Sequence, residues 1–448
     1  MQTNRELQTA ILREVAAAAW ANRLEKVGEE LVRRYAESEA GARKIYDLVK
    51  AARGIDAEEL SPDTPMVIQV DSLCDENCVC GAEEGSPCVQ ACPVGALQET
   101  DRKANIDFTN CVNCERCIEA CENGAIMERP QVAPLINLLK EATGPVYAAV
   151  APAFVGQFGP EFTPGKMRSA LKEIGFTDMV EVALFADMLS IREAVEFDVR
   201  VKQEEDYMIT SCCCPIWVKL IQKKFPELLD KVSTSVSPMV AAGRVLKAWA
   251  PEAKVVFIGP CLSKKAEALD ADVFGAIDLV VTFKEVQLIF EAMELKPEEL
   301  TDNDKPQASW GGRSYAHTGG VTSAIAASLE RINPEREIKI RALQVDGVAD
   351  CQRLLADYVA GKRDGNFIEG MGCTGGCVGG PAALIPAAEG TERVKHYAVM
   401  APHLSPMDNR EVFAVLEDLG FPGISSLSDE GKIGRMLERL YQRDKAGV

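Results

Sequence analysis

The chain has 448 residues, 47% of them hydrophobic and 26% charged, with a mean hydropathy of -0.05. This composition can bury a core without cross-links and excludes a largely disordered or fibrous protein. Against 49 Lys and Arg stand 68 Asp and Glu, a formal charge of -19 that repels phosphate backbones and anionic lipid and argues against nucleic acid or a membrane as partner.

The first elements in chain order are helical. Leu7, Ile11, Leu12 and Val15, then Leu24, Val27, Leu31 and Val32, recur at helical spacing, so residues 1–60 are read as a helical N-terminal extension. Glu6 and Glu14 fall where an export signal needs an unbroken apolar run. The 16 cysteines therefore point to metal or redox chemistry in a reducing compartment, and the expected location is cytoplasmic. Turn residues at Ser61 to Thr64, ahead of the strand-like segment MVIQV, set a boundary near residue 60.

Residues 61–134 hold the first group of cysteines and are expected to form a ferredoxin-like α+β domain. Cys111, Cys114, Cys117 and Cys121 follow the x2, x2, x3 spacing of a bacterial ferredoxin run. Zinc also accepts closely spaced thiolates, but a second group ending in Cys88, Cys92 and Pro93 favours paired 4Fe-4S clusters. In that arrangement the last cysteine of each run crosses over, so Cys92 joins Cys111, Cys114 and Cys117, while Cys121 joins Cys88. The first run is irregular: Cys74, Cys78, Cys80 and Cys88 offer four thiolates for three positions, and one of Cys74, Cys78 and Cys80 is spare. Two such clusters make an electron wire, and the catalyst belongs downstream.

From residue 135 to 448 short apolar strands alternate with helices, as in PVYAAVAP, KVVFIGP, LVVTF and IKIRALQV. The pattern predicts an α/β domain with parallel sheets, whose functional groups sit at strand ends. Two long uncharged stretches, Ala142 to Pro160 and Gly370 to Ala388, are broken by Gly and Pro and read as strands and turns rather than membrane spans. In ADMLSIREAVE, Glu193 and Glu196 share one helical face. Three loops carry thiols: TSCCCPIW from Thr210, GPCLSKKAE from Gly259, and EGMGCTGGCVGG from Glu369. Their Gly and Pro let backbone N–H groups approach an inorganic core, so four of these thiolates make a third cubane site. Cys351 stands alone and reads as a buried structural residue.

These three loops, in this order and behind a ferredoxin-type segment, resemble the FeFe (iron-only) hydrogenases from about residue 70 to 430, and TSCCCP is similar to the group B branch. The resemblance implies a two-lobed catalytic domain holding the H-cluster, a 4Fe-4S cubane bridged to a diiron unit with CO, cyanide and an azadithiolate. It assigns Cys214, Cys261, Cys373 and Cys377 to the cubane, Cys377 to the bridge, and Cys213 to proton exchange with the diiron ligand. A relay through Glu193, Ser233 and Glu196 follows, Lys264 faces a cyanide, and Ala151, Pro152, Ala153 and Met371 pack about the diiron unit. The sequence departs from the family pattern at Gly259, where methionine is usual, at Met239, where glutamine is common, at GGPAA after Cys377, and in the extra cysteine, Cys212.

The implied activity is reversible formation of dihydrogen from protons and electrons, with a ferredoxin-like electron carrier and dedicated maturation proteins as partners. Two other readings stand beside it: a low-turnover hydrogen sensor, and a hydrogenase-like iron-sulfur assembly protein lacking the diiron unit. Cys213, Lys264, Glu193 and Glu196 weigh against the latter, since a scaffold needs neither proton delivery nor a cyanide partner.

Overall fold

The structure is a computed structural model that describes residues 3–74, 85–100, 103–210, 213–420, 423–427, 432–439 and 441. Helices Asn4–Trp20, Val27–Tyr35 and Glu39–Ala52 open the chain. Thr3 starts the first through a capping box, its hydroxyl accepting from Glu6 N–H while the Glu6 carboxylate accepts from Thr3 N–H. Of the apolar residues recurring at helical spacing, Ile11, Val15, Val27 and Leu31 are buried, and Leu7, Leu12, Leu24 and Val32 are partly buried against the core. The first helix is clamped on both sides. Arg5 donates to the carbonyls of Ile118 and Cys121, and Lys140 donates to those of Ala19 and Trp20.

Two small antiparallel ladders follow. Strand β1 (Val67–Gln69) pairs with β4 (Ile126–Glu128), and β2 (Leu97–Thr100) pairs with β3 (Lys103–Ile106). Between them the one-turn helices Pro87–Gln90 and Arg116–Ala120 carry Cys88 and Cys117.

The remainder is built on two parallel sheets, as the α/β reading expects. One has the order β6-β5-β8-β9, formed by β5 (Val146–Val150), β6 (Asp178–Glu181), β8 (Lys254–Gly259) and β9 (Leu279–Thr282). The other has the order β10-β11-β7, formed by β7 (Met208–Ile209), β10 (Ala342–Asp346) and β11 (Phe367–Met371). Strands β8, β9 and β11 are buried almost throughout, because helices cover both faces of a parallel sheet and leave no polar side. Helices Pro164–Glu173, Pro215–Lys224 and Pro238–Trp249 each start on proline, whose fixed φ and missing N–H suit the first helical position. The long helix Val182–Arg200, buried over most of its length, packs against helices Pro238–Trp249 and Gly320–Ile332. Among the described residues no helix is long and apolar enough to cross a membrane.

Candidate functional site

The carboxyl ends of β5, β7, β8 and β11 meet at one point, where residues at and beyond them line a common narrow cavity of about 40 Å³. From β7 come Cys213 and Cys214, from β8 come Cys261 and Lys264, and from β11 come Met371, Cys373 and Cys377, with Ala151 after β5 completing the wall. Loops at strand ends are where an α/β sheet can gather side chains without breaking its ladder. Cys214 and Cys261 each occupy the residue before a helix, so their backbones are extended and their side chains are free of the helical turn. The loop after β11 turns sharply through Gly375 and Gly376, both at positive φ. At Gly376 (φ +89°) a Cβ would stand 2.8 Å from Thr318 N, so glycine is required there for conformation and for space.

Five thiols line this cavity. Burial, followed by repulsion from Glu115 and from the neighbouring thiols, pushes Cys261 well above the ordinary thiol range, and Cys373 rises through burial, the other thiols and Glu115. Cys377 is pushed up to about 12 by burial and Cys214, with Lys264 opposing. Thiols forced together in an apolar cavity gain from a metal that replaces their protons. Gly372 N–H donates to Cys214 Sγ at 3.2 Å, the kind of backbone donor that ligand sulfur takes. Among the described residues no group of three or more His, Cys, Asp or Glu is placed to hold a single ion. Four thiols on Gly- and Pro-rich loops, with a backbone N–H donating to sulfur, are the donor set that a 4Fe-4S cluster takes. The residues present therefore fit a cubane.

Cys213 differs from the other four. Its thiol lies 3.5 Å from Met371 Sδ, on the side where Lys264 also reaches the cavity. Lys264 is 7% exposed; burial opposes its charge, but Glu267, accepting from Nζ at 2.6 Å, more than offsets this and raises the ammonium above its ordinary value. Glu267 is a partner the sequence reading missed, although its place three residues along the helix could have revealed it. Phe257 also enters the cavity. It shares a strand face with Gly259, where a Cβ would lie 2.5 Å from the ring, so the missing side chain makes room for the aromatic one. Pro152 does not line the cavity but starts the short turn Pro152–Phe154. Cys351 lies in the core behind it, donating to Met371 O at 3.4 Å.

The expected relay residues sit on Val182–Arg200 and the segment after β7. Glu193 is fully buried and accepts from the Thr210 hydroxyl at 2.7 Å. The Ser233 hydroxyl donates to Glu196 Oε2 at 2.6 Å, while Thr234 N–H and Arg200 hold the other carboxylate oxygen. Thr210 was not among the expected relay residues. Its carbonyl accepts from Trp217 Nε1 at 2.9 Å, which pins the two ends of TSCCCPIW together.

The thiols of the ferredoxin-type segment fall into two sets. Cys92, Cys111, Cys114 and Cys117 repel one another, and burial together with that repulsion pushes Cys114 up to about 11. Cys88 is pushed up to about 11 by burial and by Cys121 and Cys74, so these three form the second set. The sets are related in detail: Ala96 N–H donates to Cys92 Sγ at 3.1 Å and Ala125 N–H to Cys121 Sγ at 3.2 Å, four residues on in each case. Cys78, Cys80 and Cys212 lie outside the described residues. Glu115, also missed, sits between the sets and the cavity with its carboxyl pushed up to about 8 by burial and Glu128.

Comparison with known families and structures adds to this geometry. The family described as iron only hydrogenase large subunit, C-terminal domain, matches residues 144–381, and the 4Fe-4S binding domain family matches residues 104–127. Iron hydrogenase 1 of Clostridium pasteurianum is 28% identical, over 78% of this chain and 77% of that protein. Cytosolic iron-sulfur assembly component 3 of Mus musculus is 23% identical, over 65% of this chain and 74% of that protein. A structure of FeFe-hydrogenase HydA1 from Chlamydomonas reinhardtii has a TM-score of 0.55 at 20% identity, covering 68% of this chain and 97% of that one. At that identity the structural likeness speaks for the fold alone.

Proposed function

The chain belongs to the family of the iron only hydrogenase large subunit, C-terminal domain, and on that premise we propose that it is an FeFe hydrogenase interconverting protons and electrons with dihydrogen. The observation that carries this reading is the fifth thiol. Four cysteines satisfy a cubane, and Cys213 lies in the same cavity beside Met371 and Lys264.

In this reading Cys214, Cys261, Cys373 and Cys377 would hold the cubane, and Cys377 would also hold the diiron unit. When bound, the diiron unit supplies the two-electron chemistry that joins protons into dihydrogen. Cys213 gives and takes protons at its Sγ, for which a thiol is suited near neutral pH. Thr210 fixes one oxygen of Glu193, and Ser233 fixes one oxygen of Glu196, so that both carboxylates are held for proton passage outward. Lys264, balanced by Glu267, presents an ammonium to an anionic ligand. Ala151, Met371 and Phe257 exclude water from the cavity.

Cys92, Cys111, Cys114 and Cys117 hold one electron-carrying 4Fe-4S cluster, and Cys74, Cys88 and Cys121 hold the other with one of Cys78 and Cys80. The position of Cys74 beside Cys88 and Cys121 supports it as a ligand and leaves the spare thiol among the other two. A ferredoxin-like carrier is the electron partner in this reading, and maturation proteins deliver the diiron unit.

The likeness to cytosolic iron-sulfur assembly components favours a second reading, in which the chain carries cubanes only. An infrared spectrum of chain produced together with the maturation proteins separates them. Bands in the CO and cyanide stretching region with hydrogen evolution support the hydrogenase. Full cubane iron without those bands and without turnover supports the assembly protein.

A further inference from the structure

Glu115 follows Cys114 directly and has φ +66° and ψ 0°, the left-handed conformation that glycine adopts freely and other residues adopt at a cost. A non-glycine residue held there asks for a compensating contact. The side chain is 7% exposed and crosses to the catalytic region, where Oε1 accepts from Leu262 N–H at 2.8 Å. Leu262 follows Cys261. One side chain thus joins the residue after a ligand of the second ferredoxin-type run to the residue after a ligand of the catalytic cubane. The surrounding junction is equally fixed. Lys265, on the same helix as Leu262, pairs with Glu285 at 2.8 Å and with Glu128 of β4 at 3.5 Å, and donates to Arg129 O at 3.0 Å.

We propose that Glu115 is a positioning residue for electron transfer, holding the Cys114 loop and the Cys261 loop at a fixed separation and orientation. The proposal rests on the cluster assignment made above. What passes between the two ligand sets is one electron, lost at one cluster and gained at the other. No bond forms or breaks, and Glu115 supplies neither electron nor proton. Its contribution is the backbone strain it accepts in exchange for the contact with Leu262, a contact that glycine at this position would forgo.

The test uses the full chain reconstituted with iron and sulfide, without the diiron unit, so that the readout is independent of turnover. Electron paramagnetic resonance of the reduced protein reports the spin coupling between the Cys92/Cys111/Cys114/Cys117 cluster and the catalytic cubane. E115G relieves the backbone and removes the tie, E115A removes the tie alone, and E115Q keeps an oxygen to accept from Leu262 N–H. Loss of the coupling in E115G and E115A at wild-type iron content, with its retention in E115Q, is the expected result. A side chain that merely stabilised the fold would lower the melting temperature of E115A and leave the coupling as in wild type, and that result overturns the proposal. A wild-type chain that fails to take up both clusters overturns the cluster assignment as well, so the two failures are distinguishable.

Discussion

The two thiol-bearing regions solve the same problem by different means. In the ferredoxin-type segment, Cys111, Cys114 and Cys117 lie within one turn and a short helix, so closing the loop around a cluster orders few residues. In the cavity region the thiols run from Cys214 to Cys377 and come from the ends of three strands in two sheets, so no one of these loops brings four of them together alone. The first site is encoded by spacing and the second by tertiary structure. Assembly of the second therefore depends on both sheets being in place, the more demanding condition because its contacts are distant in sequence.

The most severe way to break this comparison is to remove one ligand from each side. Wild-type chain reconstituted without the diiron unit should bind about twelve iron atoms, four per cubane. Cys214→Ala should lose about four of these, leaving the ferredoxin-type clusters in place, and should show no hydrogen evolution when produced with the maturation proteins. Cys117→Ala should also lose about four, but with the catalytic cubane retained. Iron analysis with resonance spectra assigns the missing cluster. Zinc replacing iron in the wild-type chain would remove the electron-wire reading altogether.

The next effect distinguishes the fifth thiol from the other four. Cys213 lines the cavity beside Met371 Sδ, whereas an alanine has no proton to exchange. Cys213→Ala should keep the catalytic iron and lose about 10²-fold to 10⁴-fold in hydrogen evolution, the usual range for a general acid–base group. Cys212→Ala should be nearly silent. If instead Cys213→Ala loses the cubane and Cys212→Ala abolishes turnover, the roles along TSCCCP are shifted by one residue.

The same contrast governs what the sequence made legible. Spacing alone groups Cys111, Cys114, Cys117 and Cys121 as a ferredoxin-type run, because they are local in sequence, but it leaves one of Cys74, Cys78 and Cys80 over. The parallel α/β architecture followed from apolar runs such as KVVFIG, which becomes the buried strand Lys254–Gly259. The cavity ligands carried no spacing rule and were assigned through the family resemblance. Glu115, Glu267, Phe257 and Thr210 escaped notice for one shared reason: each acts on a residue brought near by tertiary structure or a helical turn, and none has a motif of its own. Glu115 in particular occupies a conformation where glycine would be the ordinary choice, and nothing in the residue's identity reveals that.

A smaller effect concerns electron entry. Arg102, Lys103, Arg116 and Arg129 lie around the second ferredoxin-type run in the sequence, a basic group suited to docking an acidic carrier. The structure divides those it describes: Lys103 and Arg116 are exposed, whereas Arg129 is partly buried and donates to Pro65 O at 2.8 Å. Reversing Lys103 and Arg116 should slow turnover with a ferredoxin by about tenfold at low salt, at the low end of electrostatic steering, and leave turnover with a small viologen dye unchanged. Equal loss with both donors would mean damage to the cluster domain rather than to docking.

The smallest expected effect tests the proposed proton path. The Thr210 hydroxyl donates to Glu193 Oε2 at 2.7 Å inside the core, and a donor to a buried carboxylate favours its charged form. Thr210→Val keeps the shape and removes the donor, at a cost of about 1.5 kcal/mol, the lower end for a hydrogen bond to a charged group. Because the carboxylate then holds its proton more tightly, the limb of the pH–rate profile that reports Glu193 should move toward higher pH. Turnover at neutral pH should fall less than it does in Cys213→Ala. Thr210→Ser restores a hydroxyl at the same place and should return the profile to its wild-type position. Trp217 Nε1 binds the Thr210 carbonyl, which neither substitution changes, so the loop stays pinned and the comparison isolates the hydroxyl. A profile that stays fixed in Thr210→Val would place the rate-governing proton transfer elsewhere than Glu193.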